Sequence, residues 1–158
     1  MVRVSPSRPL RLLMDARYTR TDFHDGISRY GASLLEAVAR RAAAPGPAGA
    51  DVEVAMLISD ERQLALLPDG VPWHLVSGPT SPREPFVARQ VARLRPDVVF
   101  SPMQTMGSWG RDYALILTLH DLIYYEHRTP PRNLSEPIRW LWRAYHLTKI
   151  PQRLLLDR

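Results

Sequence analysis

Five short apolar runs alternate with helical patterns along the chain, and this alternation is the feature that most restricts its fold. Each run is almost free of charge and is bounded by polar or turn-forming residues, which is the pattern of a strand buried on both faces of a sheet. The predicted strands are Leu10 to Met14 closed by Asp15, Val52 to Ile58, Val71 to Val76, Asp97 to Phe100, and Ala114 to Leu119.

Amphipathic segments lie between the strands. Apolar residues three or four positions apart predict a helix from Gly26 to about Arg41, with Asp25 as its N-cap. A short helix capped by Ser59 or Asp60 and a helix over residues 86–94 are predicted farther along. The chain is therefore expected to fold as a doubly wound, Rossmann-like α/β domain, with a mainly parallel sheet and helices on both faces.

The composition is that of one ordinary domain. The chain has 158 residues, 45% of them hydrophobic and 23% charged, and it contains no cysteine. A thiol nucleophile and a cysteine-type zinc site are excluded, and a reducing cytoplasm is the expected location. Lys and Arg exceed Asp and Glu, 21 against 16, but the basic residues are scattered and not interleaved with aromatics. Nucleic acid is therefore not a predicted partner.

The fold class predicts where a ligand binds. In open parallel sheets, ligands lie outside the carboxyl ends of the strands, where the strand order reverses. The segments to consider are therefore Asp15 to Gly26, Ser101 to Gly110, and His120 with Asp121.

Gly26 begins a predicted helix, where backbone N–H groups and the helix dipole favour an anion. The alternative is that Gly26 only allows the loop to turn into the helix. No G-x-G-x-x-G or Walker sequence follows the first strand, so the phosphate cradles of NAD-binding and P-loop proteins are absent from that position.

His120 closes the most hydrophobic predicted strand, where it would face the ligand crevice, although an isolated histidine is often structural. Asp121 would cap the next turn or hold a loop. The histidines have no metal-ligand spacing, so no metal is expected. Trp109 could stack on a sugar or lipid, or could anchor its loop.

The last predicted helix begins with Ser135 as its cap and Pro137 in its first turn. Two interpretations stay open for it. Its apolar side chains pack on the sheet, or its tryptophans and arginines contact an anionic membrane peripherally. The apolar face would be Ile138, Leu141, Trp142 and Tyr145, and the tryptophans and arginines are Trp140, Trp142, Arg139 and Arg143.

Several segments together resemble the amino-terminal domain of family-4 glycosyltransferases of the GT-B fold. They are LRLLMDARY, DGISRYGASLLEAV, DVVFSP and LILTLHDLIYYEH, and their order and spacing match over most of residues 10–158. The most specific pieces are Gly26-Ile27-Ser28-Arg29-Tyr30 and Thr118-Leu119-His120-Asp121.

The resemblance implies an enzyme with two Rossmann-like domains, of which the first mainly binds the acceptor and the second the nucleotide-sugar donor. It implies sugar transfer to an acceptor hydroxyl with retention at the anomeric carbon, without a cofactor or metal. His120 would be the catalytic residue and would contact the transferred sugar. Gly26 and Arg29, with Trp109 and Asp121, would bind substrate or donor phosphates. Many relatives have two glycines where this chain has Asp25-Gly26, and a carboxylate repels a diphosphate unless it turns away to cap the helix.

Residues 1–158 are accordingly expected to form a single acceptor-side domain without the donor domain, and to show no transfer activity alone. An alternative is a stand-alone module that binds a sugar or phospho-acceptor, or one half of a split enzyme. A third is an unrelated α/β nucleotide-binding enzyme.

Overall fold

The computed structural model describes residues 8–44 and 52–120, together with residues 129, 130, 136, 137, 139, 140 and 143. The chain divides into two compact units, Met1–Thr118 and Leu119–Arg158. The first unit contains the sheet and its covering helices.

The first unit is built on a parallel sheet of five strands in the order β3-β2-β1-β4-β5. All four strand pairs are parallel. The strands are β1 (Leu10–Asp15), β2 (Val52–Ile58), β3 (Trp73–Leu75), β4 (Val98–Ser101) and β5 (Ala114–Leu117). The predicted Rossmann-like α/β fold is therefore confirmed.

β1 is the central strand, with β2 on one side and β4 on the other. Its register pairs Leu12 with Val54 of β2 and with Val98 of β4. Because the chain progresses outward from β1 to β3 on one side and from β4 to β5 on the other, the strand order reverses between β1 and β4. In this class of sheet, that reversal marks the ligand crevice.

One face of the sheet is covered by α1 (Gly26–Ala43) and by a 3₁₀ helix over Glu61–Leu66. Leu35 of α1 is buried to 1% exposure, and it belongs to a cluster with Met14, Met56 and Ile58. The apolar side chains at three- and four-residue spacing therefore form the inner surface of α1, as the sequence predicts.

The opposite face is covered by α2 (Val87–Ala92), which follows a short 3₁₀ helix over Glu84–Phe86. Val87 and Val91 of α2 are fully buried, and they pack in a second cluster with Leu13, Leu57 and Val99. Adjacent residues of β1 thus enter different clusters, because side chains of a strand alternate between its faces.

The helix and strand limits differ little from the predicted ones. Asp25 and Asp60 both act as N-caps, as expected. β5 ends at Leu117 rather than Leu119, and its side chains alternate between exposed and partly buried, with Ile116 52% exposed. This edge strand therefore differs from the pattern of complete burial predicted for it.

The second unit contains the predicted final helix. Glu136, Pro137, Arg139, Trp140 and Arg143 are helical. Trp140 is exposed, and the guanidinium of Arg143 lies 5.5 Å from the centre of its ring. Ser135 and the predicted apolar face, which consists of Ile138, Leu141, Trp142 and Tyr145, lie outside the described residues. Among the residues that the structure describes, no helix has both the length and the apolar character required to cross a membrane.

Candidate functional site at the carboxyl edge of the sheet

The carboxyl ends of β1 and β4 meet at the strand reversal through two buried polar side chains. Asp15 ends β1 and is 2% exposed, and Ser101 ends β4 and is fully buried. The hydroxyl of Ser101 donates a hydrogen bond of 3.0 Å to Oδ2 of Asp15. A buried carboxylate requires such partners, because leaving it unpaired costs several kcal/mol.

Arg17 supplies the positive charge for this site, and its guanidinium is completely buried. It donates to Asp15 at 2.8 and 3.0 Å, to Glu84 at 2.6 and 3.1 Å, and to the carbonyl of Ser77 at 2.9 Å. Burial opposes its charge, but the two carboxylates outweigh burial and raise the pKa of Arg17 above its ordinary value. Arg17 therefore joins the segments that follow β1 and β3. We call Asp15, Arg17, Glu84 and Ser101 the buried ion cluster.

Gln63 fixes the loop that follows β1. Its amide nitrogen donates to the carbonyls of Arg17 and Thr19 at 3.0 and 2.8 Å. Its amide oxygen accepts from the backbone N–H groups of Ser59 and Asp60. One side chain from the first 3₁₀ helix thus holds the loop that leads to α1.

The loop after β4 contacts the second 3₁₀ helix at Gly107. The N–H of Gly107 donates to Oε1 of Glu84 at 3.2 Å. A Cβ atom at Gly107 would lie 1.7 Å from the carbonyl oxygen of Glu84, so only glycine fits at this contact. The buried ion cluster is thereby connected to the loop that carries Trp109.

α1 begins beside this network with its N-terminus capped by Asp25. The carboxylate of Asp25 accepts from the backbone N–H and the hydroxyl of Ser28, both at 2.8 Å. The pKa of Asp25 is below its ordinary value, mainly because its carboxylate accepts this hydrogen bond from the Ser28 N–H. The Asp25 carboxylate therefore uses part of the anion-binding capacity of the helix N-terminus.

This cap gives a pH-dependent prediction. We expect Asp25→Ala to lower the free energy of unfolding by about 1 kcal/mol at pH 7. Because folding depresses the pKa of Asp25 below 3.8, its contribution is present above that pH and is lost as pH falls through the folded-state pKa. Urea unfolding at pH 7 and pH 3 measures the difference between the two proteins. Asp25→Asn caps without titrating and is the control; an equal loss for Asp25→Ala at both pH values would contradict the prediction.

Gly26 and Arg29 lie at the exposed start of α1. No atom lies within 4 Å of the position that a Cβ of Gly26 would occupy, and its φ is not in the left-handed region. Neither the space around Gly26 nor its backbone conformation therefore requires a glycine for the turn into α1. A larger residue would fit there.

Trp109 is 51% exposed and stacks on Phe86, with ring centres 5.4 Å apart and an interplanar angle of 25°. The alternative that it anchors its loop thus has a structural basis in this stacking. Its exposure also leaves a large aromatic surface beside the carboxyl edge.

His120 is exposed and lies in the second unit, three residues after β5 ends. Asp121 lies outside the described residues. Of the other predicted site residues, Gly26 and Arg29 lie together in the first turn of α1, and Trp109 stacks on Phe86.

Three residues of this site, Arg17, Gln63 and Glu84, were not predicted from the sequence. Arg17 stands two positions after Asp15, within a segment that follows a predicted strand, and an arginine so close to a buried strand end could have been recognised as its partner. Glu84 and Gln63 have no such signal, since only the folded chain brings them to Arg17.

Within the described part of the chain, no group of three or more metal-ligand side chains occurs together. Two open clefts lie elsewhere, one of about 410 Å³ between β3 and α2, and one of about 560 Å³ beside the turn at Gly70. Neither is lined by Gly26, Trp109 or His120.

The fold and the strand reversal define a Rossmann-like α/β protein, with the buried ion cluster at the carboxyl edge of its sheet. No protein-family model, curated protein or solved structure matches the chain.

Proposed function

We propose that this chain is the acceptor-side domain of a retaining glycosyltransferase that uses a nucleotide sugar. The observation that carries the proposal is the position of the Gly26 loop. It leaves the central strand β1 at the strand reversal and ends at an exposed helix start, where no atom lies within 4 Å of the position of a Gly26 Cβ. The motif around Gly26 that resembles family-4 glycosyltransferases lies at this position.

In the proposed reaction, His120, the start of α1 and Asp25 have different roles. The acceptor hydroxyl attacks the anomeric carbon on the side of the leaving group, and the glycosidic bond forms as the bond from that carbon to the diphosphate oxygen breaks. The hydroxyl proton passes to the departing nucleoside diphosphate. By resemblance, His120 contacts the sugar being transferred. The start of α1 lies near the acceptor and the departing phosphates, whose charge oriented N–H groups stabilise. The Asp25 carboxylate is engaged with Ser28, which reduces its repulsion of the diphosphate.

The first test is release of nucleoside diphosphate from a panel of UDP-, GDP- and ADP-sugars. We expect turnover by the native gene product that contains this chain and none by the 158 residues alone, because the resemblance assigns donor binding to a second domain. His120→Ala should lower turnover at least tenfold with an unchanged melting temperature. Absence of turnover by the native product with every donor, or full activity of His120→Ala, would argue against the proposal.

A matched pair of substitutions at Gly26 tests the start of α1. Gly26→Glu adds a negative charge, whereas Gly26→Gln adds nearly the same volume without charge, and neither meets a neighbouring atom at Cβ. We expect Gly26→Glu to raise the KM for the nucleotide sugar about tenfold relative to Gly26→Gln, because the charge repels the diphosphate.

The free energy of unfolding should be equal or greater for Gly26→Glu than for Gly26→Gln, although Gly26→Glu has the higher KM. A carboxylate in the first turn of α1, which now has no acidic residue, stabilises the helix dipole by about 0.3–1 kcal/mol. A higher KM together with equal or greater stability is therefore specific to ligand binding. Equal KM values for the two variants would exclude an anion at this helix start.

A further inference from the structure

The chain carries an exposed aromatic surface that the proposed reaction does not by itself explain. Phe86 is 41% and Trp109 51% exposed, and their rings are stacked. The two residues belong to connections that follow the carboxyl ends of β3 and β4, respectively. Contiguous exposed apolar surface often marks a binding site.

Arg89 completes this surface. Its guanidinium carbon lies 5.4 Å from the centre of the Phe86 ring, and its side chain passes over Gly110. Gly110 has a φ of +79°, and a Cβ there would lie 3.3 Å from the Arg89 side chain. Within residues 8–44 and 52–120, no carboxylate pairs with Arg89. We call Phe86, Arg89 and Trp109 the aromatic platform.

The platform is held by the buried ion cluster. Phe86 stands two residues after Glu84, and Trp109 stands two residues after Gly107. Glu84 accepts from Arg17 and from the N–H of Gly107, so both connections are fixed to the same carboxylate. A binding surface gains affinity when its side chains are ordered before the ligand arrives. The side chains of the platform are ordered in this way, because Glu84 fixes the connections that carry Phe86 and Trp109.

We propose that the aromatic platform binds a pyranose that carries a negatively charged group, either a phosphate or a carboxylate. The C–H face of a pyranose packs on an aromatic ring by dispersion. The guanidinium of Arg89 then donates charge-assisted hydrogen bonds to the anionic group. The inference rests on the proposed function, because it names the acceptor of that reaction as an anionic sugar.

Charge complementarity is the reason for preferring an anionic sugar to a neutral one. A neutral pyranose would cover the rings but leave Arg89 without an acceptor of matching charge. Inorganic phosphate would satisfy Arg89 but leave the rings uncovered. Only a ligand with both features uses the entire platform.

Isothermal titration of the chain with four probes tests the proposal. Glucose 6-phosphate and glucuronate carry both features, whereas methyl glucoside and inorganic phosphate carry one each. We expect at least one of the first two to bind about tenfold more tightly than either of the others. The stronger of the two distinguishes a phosphate from a carboxylate as the anionic group.

Four variants locate the binding. Trp109→Ala should weaken binding of the preferred anionic sugar about tenfold, and Trp109→Phe should retain most of it. Arg89→Gln should reduce that binding to the level of methyl glucoside. Arg93→Gln is the matched control, since Arg93 follows α2 directly and is also exposed. Melting temperatures of the two arginine variants should be unchanged, because both arginine side chains are exposed. Trp109→Phe retains an aromatic ring to stack on Phe86 and therefore controls for the loss of that stacking in Trp109→Ala.

Several results would overturn the proposal. These are equal binding of all four probes, no binding of any probe, loss of binding in Arg93→Gln as large as in Arg89→Gln, or displacement of the sugar by UMP or by vesicles of anionic lipid. The titration uses no nucleotide sugar, so its outcome is independent of the turnover assay. Turnover without sugar-phosphate or glucuronate binding contradicts only the platform, whereas platform binding without turnover contradicts glycosyl transfer.

Discussion

Replacing Arg17 with leucine should lower the free energy of unfolding by about 3–5 kcal/mol, because two carboxylates would lose their shared cation. The Arg17 and Asp15 side chains are completely buried, and that of Glu84 is 18% exposed. The loss is a large part of the roughly 5–15 kcal/mol that stabilises a typical domain. Guanidinium chloride unfolding at pH 7, followed by circular dichroism, measures it.

The same loop contains a matched control for this prediction. Arg20 pairs with Asp22 at 2.7 Å, but both side chains are largely exposed, and an exposed pair contributes little. Arg20→Leu should therefore leave the unfolding midpoint almost unchanged. If Arg17→Leu does not fold, Ser101→Ala removes one hydrogen bond from Asp15 and should cost about 1–3 kcal/mol. If Arg17→Leu and Arg20→Leu had the same unfolding midpoint, the buried ion cluster would not stabilise the fold.

The second large effect is expected at Gly107. Gly107→Ala would place a Cβ 1.7 Å from the backbone carbonyl oxygen of Glu84, and backbone cannot rotate away as a side chain can. We expect a loss of about 3 kcal/mol or more, at the upper end of the usual cost of overpacking. Because the loop must separate from Glu84, the accessibility of Trp109 to acrylamide quenching should also increase.

Gly31→Ala is the control for this substitution. Gly31 lies inside α1, and a Cβ added there would have Cγ of Pro102 as its nearest neighbour at 3.7 Å, an ordinary contact. Alanine is favoured over glycine in a helix by about 0.5–1 kcal/mol. The two glycine substitutions should thus change stability in opposite directions. A Gly107→Ala protein as stable as the Gly31→Ala protein would contradict the close contact with Glu84.

Periodicity was sufficient to predict the architecture of the first unit. Apolar runs such as Val52–Ile58 and the helical spacing of Leu34, Leu35 and Val38 reflect burial directly, so the strands and α1 could be located from residue type alone. Capping was equally local, since Asp25 and Asp60 stand at the positions their helices require. The general rule for parallel sheets then identified the carboxyl edge without any knowledge of the ligand.

The composition of the site could not be predicted in the same way. Glu84 and Arg17 are 67 positions apart, and nothing in their neighbours indicates that they form an ion pair. Trp109 is similar, because its stacking depends on Phe86 in another connection. The local pattern identifies which face of an element is buried, but it does not specify which polar residues from distant segments meet.

The central position of β1 also has a consequence for synthesis on the ribosome. Of the five strands in this sheet, β1 is made before the others, but the hydroxyl that pairs with its terminal Asp15 is 86 residues later, on β4. At translation rates of about 5–20 residues per second, this strand waits several seconds for that neighbour. During that time Leu12, Leu13 and Met14 can pair only with β2, so one edge of the future central strand is open to other chains. The nascent chain is therefore most prone to aggregation before β4 has left the ribosome.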